Sequence, residues 1–175
     1  MRNALLAAGV TLLVGTMTTA QSVTYDFDKT TDFSRFRTYT WVPGTNLNDE
    51  FNHSRIINAV SAQLALKGLT KVDATSKPDL LVAYHASFDK DLEINGFTSG
   101  LGGYRFGGPR SGSARTNEIL IGTLVVDVVD AATKTIVWRG IATKDVDVKA
   151  SPEKREKNIN NAAERLFKNF PPKKS

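Results

Sequence analysis

One stretch of the chain, residues 119–149, constrains the fold more than any other; it reads ILIGTLVVDVVDAATKTIVWRGIATKDVDVK. From Ile119 to Val129 apolar residues occupy both alternating positions, which predicts a strand covered on both faces. From Thr135 to Lys149 apolar and polar residues alternate, which predicts a second, half-buried strand. Between them, the Asp130 carboxylate can accept hydrogen bonds from backbone amides two residues on, as in a tight turn. The sequence therefore predicts a central β-hairpin.

Two segments show the period of amphipathic helices. In Asn48–Lys67 apolar residues recur at three- and four-residue steps, and Gly68 stands where a left-handed C-cap is expected. In Ser151–Phe170 the serine is a favourable N-cap, Pro152 suits the first helical position, and charged residues cover the surface opposite the apolar stripe. These patterns predict two helices docked on a sheet.

Four further segments show the alternation and the aromatic or β-branched content of strands. They are Val23–Phe27, Asp32–Pro43, Leu69–Asp73 and Pro78–Phe88, the last of which continues towards Asn95. Together with the hairpin they predict an α+β fold: a mostly antiparallel sheet of about six strands with two helices packed on one face.

Tyr39 and Trp41 share one face of the second of these strands. Exposed, the pair would form a stacking platform for a ring-bearing ligand. Buried, it would be an aromatic face packed under a helix. Aromatic side chains dominate cores through their large area, so the sequence favours the buried interpretation.

The amino-terminal residues have the pattern of an export signal. Arg2 provides a positive start, Ala4–Val14 is an apolar run, and small residues precede Gln21. We therefore predict a signal peptide at residues 1–20 and a single α+β domain at residues 21–175. The apolar run is shorter than the roughly 20 residues that span a bilayer, so we expect no transmembrane span after signal removal. The expected location is the periplasm, with peripheral association with the envelope as an option.

Charge and cysteine content restrict the possible partners and chemistry. The chain has no cysteine, which excludes disulfides and a thiol nucleophile. Its net charge of +5 falls to +4 when Arg2 leaves with the signal. This mild excess favours anionic surfaces such as lipid headgroups or cell wall, and it is too small to indicate nucleic acid.

Residues 96–115 form the one low-complexity segment, and Gly96–Ser113 holds seven of the thirteen glycines. We predict a long loop that binds an envelope protein or an anionic envelope component, because loops of this length are often functional. The candidate binding residues are Tyr104, Arg105, Phe106, Arg110 and Arg115. The alternative is a hairpin loop whose arginines offset the acidic run at Asp89–Glu93. Gly100–Gly103 lacks the third glycine and the helix of a dinucleotide fingerprint.

Evidence for catalytic or metal chemistry is weak. Asp91, Glu93, Asn95 and Gly96 match the early positions of a calcium loop, but Gly102 occupies the twelfth, where a bidentate carboxylate belongs, so a solvated strand face is favoured. His85 is the better of two candidate bases and could pair with Asp79 or a hydroxyl of another strand. Asp127 is unusual inside an apolar strand; it could belong to a pair of catalytic carboxylates, but a salt bridge to Arg139 across the hairpin is the plainer explanation.

Six short segments carry a resemblance to a known family. They are Asp32-Phe33-Ser34, Thr38-Tyr39-Thr40-Trp41, Pro78-Asp79-Leu80-Leu81-Val82, Gly122-Thr123-Leu124-Val125-Val126-Asp127, Val137-Trp138-Arg139-Gly140 and Phe170-Pro171-Pro172. In order and spacing they resemble domain-of-unknown-function family 4136, small exported bacterial proteins often described as lipoproteins. The resemblance implies fold and an envelope location, and it brings no catalytic residues. The chain departs from many members in lacking the lipid-attachment cysteine.

These observations predict an exported envelope protein that acts as a non-enzymatic binding or scaffold module, without cofactor or metal. One alternative is an accessory activator of a cell-wall or outer-membrane machine. Another is a periplasmic hydrolase that uses His85 or Asp127.

Overall fold

The computed structural model describes residues 21–45, 49–94 and 116–173. In chain order its elements are β1 (Ser22–Phe27), β2 (Thr38–Trp41), α1 (Glu50–Leu66), β3 (Thr70–Lys71), β4 (Leu80–Ile94), β5 (Thr116–Asp130), β6 (Ile136–Asp145) and α2 (Pro152–Phe167). One six-stranded sheet has the order β1-β6-β5-β4-β2-β3. The pairs β1–β6, β6–β5 and β5–β4 are antiparallel, and β2 is parallel to both of its neighbours, β4 and β3. The predicted α+β class is confirmed.

Both helices cover the same face of the sheet. The buried residues of the helices are Ile56, Ala59, Val60 and Leu64 in α1, and Ala162, Ala163, Leu166 and Phe167 in α2. Beneath them lie the alternate residues of the central strands: Leu80, Val82 and Tyr84 in β4, Leu124, Val126 and Val128 in β5, and Trp138 and Ala142 in β6. Each fully buried side chain of this size contributes roughly 1.5–3 kcal/mol to folding, so this layer supplies most of the stability.

An aromatic cluster closes one end of this layer. The Trp138 ring lies 5.1 Å from that of Phe167 and 5.3 Å from that of Phe170, which in turn meets Phe33 edge-on at 5.9 Å. Gly140 is required here, because an added Cβ would overlap the Trp138 indole and lie 2.8 Å from Leu166 Cδ2. Segments far apart in sequence therefore meet in one packed cluster.

The structure corrects several predictions of strand extent and burial. β3 covers only Thr70–Lys71 of the predicted Leu69–Asp73, and β6 ends at Asp145 within the predicted Thr135–Lys149. The predicted strand Asp32–Pro43 begins only at Thr38, because the Asp32 carboxylate accepts from Ser34 N and Oγ and caps a 3₁₀ turn at Phe33–Arg35. The sequence predicted that β5 is covered on both faces, but the helices cover one face of it. On the other face Val125 and Val129 remain partly exposed.

Local signals at turns and caps are confirmed. Asp130 Oδ1 accepts from the Ala132 and Thr133 amides and holds the β5–β6 turn. Gly68 has a φ of 82° after α1, and Ser151 Oγ accepts from Lys154 N at the start of α2. The helices are shorter than predicted by two to three residues at some ends, which is the usual uncertainty of helix boundaries.

Asp79 ties the parallel part of the sheet together. Its Oδ2 accepts from Arg37 N at 2.8 Å, Thr38 N at 2.9 Å and Thr38 Oγ1 at 3.0 Å. These bonds, led by the one from Arg37 N, lower the pKa of Asp79 below its ordinary value of 3.8. The carboxylate thus fixes the start of β2 beside the start of β4.

We expect Asp79→Ala to lower the free energy of unfolding by about 2 kcal/mol, because two backbone donors lose a charged acceptor. Since the folded chain holds Asp79 at a lowered pKa, its contribution is present at neutral pH and is lost as the pH falls below about 4. The variant should therefore lose less stability than the wild type on acidification. Denaturant unfolding at pH 7 and pH 3 measures both effects.

Asp73→Ala is the matched control, because Asp73 stands at the start of a 3₁₀ turn without a side-chain cap bond. An Asp79 variant as stable as this control would contradict the assigned role.

Candidate functional site

A cavity of about 290 Å³ lies between the sheet and the first turns of both helices. Its floor consists of two neighbouring cross-strand rows on the helix-covered face, one with Ala86 and Ala142 and the next with Phe88, Gly122 and Lys144. Its roof is formed by Asn52 and Ile56 of α1 and by Arg155, Ile159 and Ala162 of α2. The lining is mostly apolar. This volume is near the lower end of the range for small-molecule sites, which are typically apolar with a few polar groups.

Small residues create this space. Across the floor, Ala86 of β4 and Ala142 of β6 stand opposite Leu124, and Gly122 of β5 pairs with Phe88 in the next row. Elsewhere on this face the positions carry mostly larger side chains, such as Val82, Tyr84, Val126 and Trp138, and the Trp138 indole fills the space above Gly140. The cavity is therefore a consequence of side-chain size in residues from three strands. Val146 forms part of the wall, because an added Cβ on Gly122 would lie 2.7 Å from Val146 Cγ2.

Two half-buried cations belong to the cavity lining. Lys144 Nζ donates to Asn158 Oδ1 at 2.8 Å, and Arg155 donates to the carbonyls of Ala150 and Val148. Among the described residues, neither forms an ion pair with a carboxylate. Both helices begin at this end of the domain, so their positive dipole ends add to the same electrostatic field.

The β4–β5 hairpin leaves the domain at the cavity. Phe88 and Leu120 line it, while the two strands continue as a pair to Ile94 and Thr116. Six further residues at about 3.3 Å each extend the hairpin by about 20 Å beyond Phe88. The predicted continuation of this strand past Phe88 is confirmed.

The predicted binding residues Tyr104, Arg105, Phe106, Arg110 and Arg115 lie outside the described residues, as do residues 1–20. Of the calcium pattern, Asp91 and Glu93 belong to β4, where they pair with Ile119 and Asn117 of β5. Asn95, Gly96 and the glycines of residues 100–103 also lie outside the described residues.

A charged cluster lies on the opposite, helix-free face of the sheet. Arg139 Nε donates to Asp127 Oδ1 at 2.6 Å and a terminal guanidinium nitrogen donates to Oδ2 at 2.7 Å, which confirms the predicted salt bridge. His85 Nε2 lies 3.5 Å from Asp127 Oδ2. Asp127 is 4% exposed, so its two oxygens depend on these partners. The hydrogen bonds that Arg139 donates to Asp127 raise the pKa of Arg139 above its ordinary value.

The second ring nitrogen of His85 is also engaged. Thr45 N donates to Nδ1 at 3.1 Å, and Thr45 Oγ1 lies 3.2 Å from the same atom. Because a backbone amide can only donate, Nδ1 is the unprotonated nitrogen and Nε2 carries the proton directed at Asp127. The predicted partners of His85 were Asp79 or a hydroxyl of another strand. The hydroxyl found is that of Thr45, in the segment between β2 and α1, and Asp79 instead binds Arg37 and Thr38. The imidazole thus holds the segment before α1 onto β4.

Tyr39 and Trp41 belong to the core. Tyr39 is 2% exposed, and the Trp41 ring meets Tyr84 edge-on at 6.3 Å while its Nε1 donates to Ser61 Oγ. The interpretation of these residues as an aromatic face packed under a helix is confirmed.

A second cavity, of about 370 Å³, lies at the other end of the sheet between the 3₁₀ turn and Pro171. Of its lining hydroxyls, Thr31 Oγ1 donates to Asp28 and Ser34 Oγ to Asp32. Its two lysines, Lys29 and Lys173, are exposed. The first cavity, whose two cations are half-buried, is the better candidate site.

Two further observations concern metals and membranes. In residues 21–45, 49–94 and 116–173 no three His, Cys, Asp or Glu side chains are grouped closely enough to hold a metal ion. Neither of the two described helices has the length and apolar character that a bilayer span requires.

Several solved structures share this fold. A DUF4136 family protein from Bacteroides thetaiotaomicron matches 86% of this chain and 96% of its own, with 16% identity and a TM-score of 0.54. The PelC dodecamer from Paraburkholderia phytofirmans matches 85% and 96%, with 5% identity and a TM-score of 0.52. A PDZ domain protein from Parabacteroides distasonis matches 90% of this chain, which spans only 38% of that protein, with 16% identity and a TM-score of 0.55. At these identities the likeness shows the fold alone.

A comparison with curated proteins found no match. The family model described as Domain of unknown function (DUF4136) matches residues 23–172, which include all six strands and both helices. The residues from β1 to Pro172, among them the segments that carry the resemblance, therefore place the chain in the DUF4136 family.

Proposed function

We propose that the protein is a non-enzymatic binding module of the cell envelope whose binding end is the one that holds the cavity and the β4–β5 hairpin. The observation that carries this proposal is the apolar cavity of about 290 Å³, from which the hairpin projects and whose lining holds two cations that pair with no carboxylate among the side chains the structure describes. Both features occur at one end of the domain, where a partner can contact them together. The signal-like pattern of residues 1–20 supports the envelope location.

The charged cluster on the other face supports a structural role more than a catalytic one. The His85 nitrogen that would serve as a base already accepts from a backbone amide, and both Asp127 oxygens are held by Arg139. A general base must be within reach of a substrate proton with its lone pair available. We therefore rank the hydrolase alternative below binding.

The loop residues Tyr104, Arg105, Phe106, Arg110 and Arg115 remain our proposed contacts to an envelope protein or an anionic envelope component. The strands that lead to them leave the sheet beside the cavity. Arginine side chains on a glycine-rich connection suit multidentate contacts to phosphate or carboxylate groups.

A second candidate function is that of a subunit of a larger envelope assembly, which includes the accessory activator. It is favoured by the likeness in fold to a protein that forms a dodecamer. The same likeness extends to proteins described without an assembly, so binding ranks first.

Replacing one partner of the Asp127–Arg139 pair tests the structural assignment. We expect Asp127→Asn to lower the free energy of unfolding by about 1–2 kcal/mol, because the buried Asp127 position loses its charge-assisted bonds to the exposed Arg139 guanidinium. The double variant Asp127→Asn, Arg139→Met should cost less than the sum of the single variants, since the two groups are in contact. Denaturant unfolding of all four proteins completes the cycle. Folded Asp127→Asn or His85→Ala protein that has lost its cellular function would instead favour the hydrolase.

Cell fractionation tests the loop. We expect wild-type protein tagged at the carboxyl end to sediment with membrane or wall, and either high salt or the triple variant Arg105→Ala, Arg110→Ala, Arg115→Ala to release it, because exposed charge contacts are screened. The control Lys149→Ala, Lys157→Ala, Lys168→Ala removes the same charge from exposed positions near and along α2. Equal release by the control would show that net charge, and not the loop, causes the association.

The oligomeric state separates the two candidate functions. A binding module is expected to run as a monomer of about 19 kDa or less in light scattering coupled to size exclusion. A stable ring or other large assembly of the purified chain would favour the assembly subunit.

A further inference from the structure

The cavity combines two features that select different parts of one ligand. Its floor of Ala86, Gly122 and Ala142 and its roof of Ile56 and Ile159 present carbon surface. The Lys144 ammonium lies on the helix-covered face of β6 and reaches the same space. Transferring an apolar chain onto this lining is favourable in proportion to the area removed from water.

No carboxylate whose side chain the structure describes forms an ion pair with Lys144. Its described hydrogen bond goes to the neutral Asn158 amide, which does not compensate its charge. Of the nearby acids, Asp147 binds Lys154 at 2.9 Å. Asp49 accepts from the backbone and side-chain nitrogens of Asn52 as the cap of α1. Asp145, the third acid of the lining, is exposed, so water screens its charge more than that of the half-buried Lys144.

A half-buried cation in an apolar site favours an anion more strongly than an exposed cation does, because the surroundings screen the interaction less. Arg155, half-buried in the same lining, has its described bonds to backbone carbonyls and adds positive charge. The amino-terminal ends of α1 and α2 add to it. The cavity volume of about 290 Å³ suits one unbranched chain better than the two chains of a membrane phospholipid.

We propose that this cavity binds a free single-chain amphiphile, an unbranched apolar chain that ends in a carboxylate, with the chain on the Ala86–Gly122–Ala142 floor and the carboxylate on Lys144. The proposal goes beyond the proposed function. Binding of such a molecule is measured on the purified chain without any envelope partner, so either proposal can fail while the other stands.

Calorimetric titration with dodecanoate below its micellar concentration tests the site, with dodecanol and dodecyltrimethylammonium as neutral and cationic probes of equal chain length. We expect one dodecanoate per chain and weaker binding of both other probes. A further probe, lysophosphatidylglycerol, has a single chain and a phosphate headgroup. It distinguishes a membrane-derived lipid ligand from a free carboxylate ligand. Tighter binding of the lysolipid than of dodecanoate would overturn the assignment to a free carboxylate.

Lys144→Met keeps the length and apolar character of the side chain and removes its charge. We expect it to weaken dodecanoate binding about tenfold, the loss of one charge-assisted hydrogen bond, and to leave dodecanol binding unchanged. Lys149→Met is the matched control, since Lys149 is exposed and does not line the cavity. Ala86→Leu, which occupies the floor, should weaken both probes, and circular dichroism checks that each variant folds.

Besides tighter binding of the lysolipid, three results would overturn the proposal. They are no saturable binding of dodecanoate to folded wild-type protein, equal binding of the three probes, and an equal effect of the Lys144 and Lys149 substitutions. The first would remove the site, and the other two would remove its selectivity for an anion.

Discussion

The rest of the structure depends on burial of one face of the β5–β6 hairpin beneath α2. Trp138, 1% exposed, packs against Phe167 and Phe170, and Phe33 reaches the same cluster from a distant turn. The Trp138 indole N–H finds no hydrogen-bond partner among the described residues, which costs about 1–3 kcal/mol that the packing must exceed. Aromatic rings fill this end of the layer between helices and sheet, and the cavity lies at the other end.

That open end is where binding is proposed, and its chemistry follows from the same sheet. At the cavity the large side chains of this face are replaced by Ala86, Gly122 and Ala142, which are too short to fill the space between the sheet and the helices. The opposite face holds its charges in a closed arrangement, with Arg139 on Asp127 and His85 between Asp127 and Thr45. The helix-covered face therefore holds both the packed core and the cavity, and the opposite face holds the charged cluster.

Much of this fold follows from local patterns, and the cavity does not. The alternation in β5 and β6, the Asp130 turn and the Ser151 cap each act within a few residues and are visible in the sequence. The Asp32 cap was also local, but the aromatic and β-branched content of the following residues suggested an earlier strand start. The cavity depends on how small residues of three strands line up with one another and on which part of α2, near Ile159, lies above them. Sequence periodicity does not reveal this alignment.

Site-specific photo-crosslinking in cells tests the central claim, that the partner binds at the cavity end, most directly. A photo-reactive phenylalanine derivative would replace Phe88, 44% exposed at the cavity, or Ile136, 47% exposed at the far end of β6. The account predicts a discrete crosslinked product from position 88 and none from position 136. Crosslinking from position 136 alone would contradict it.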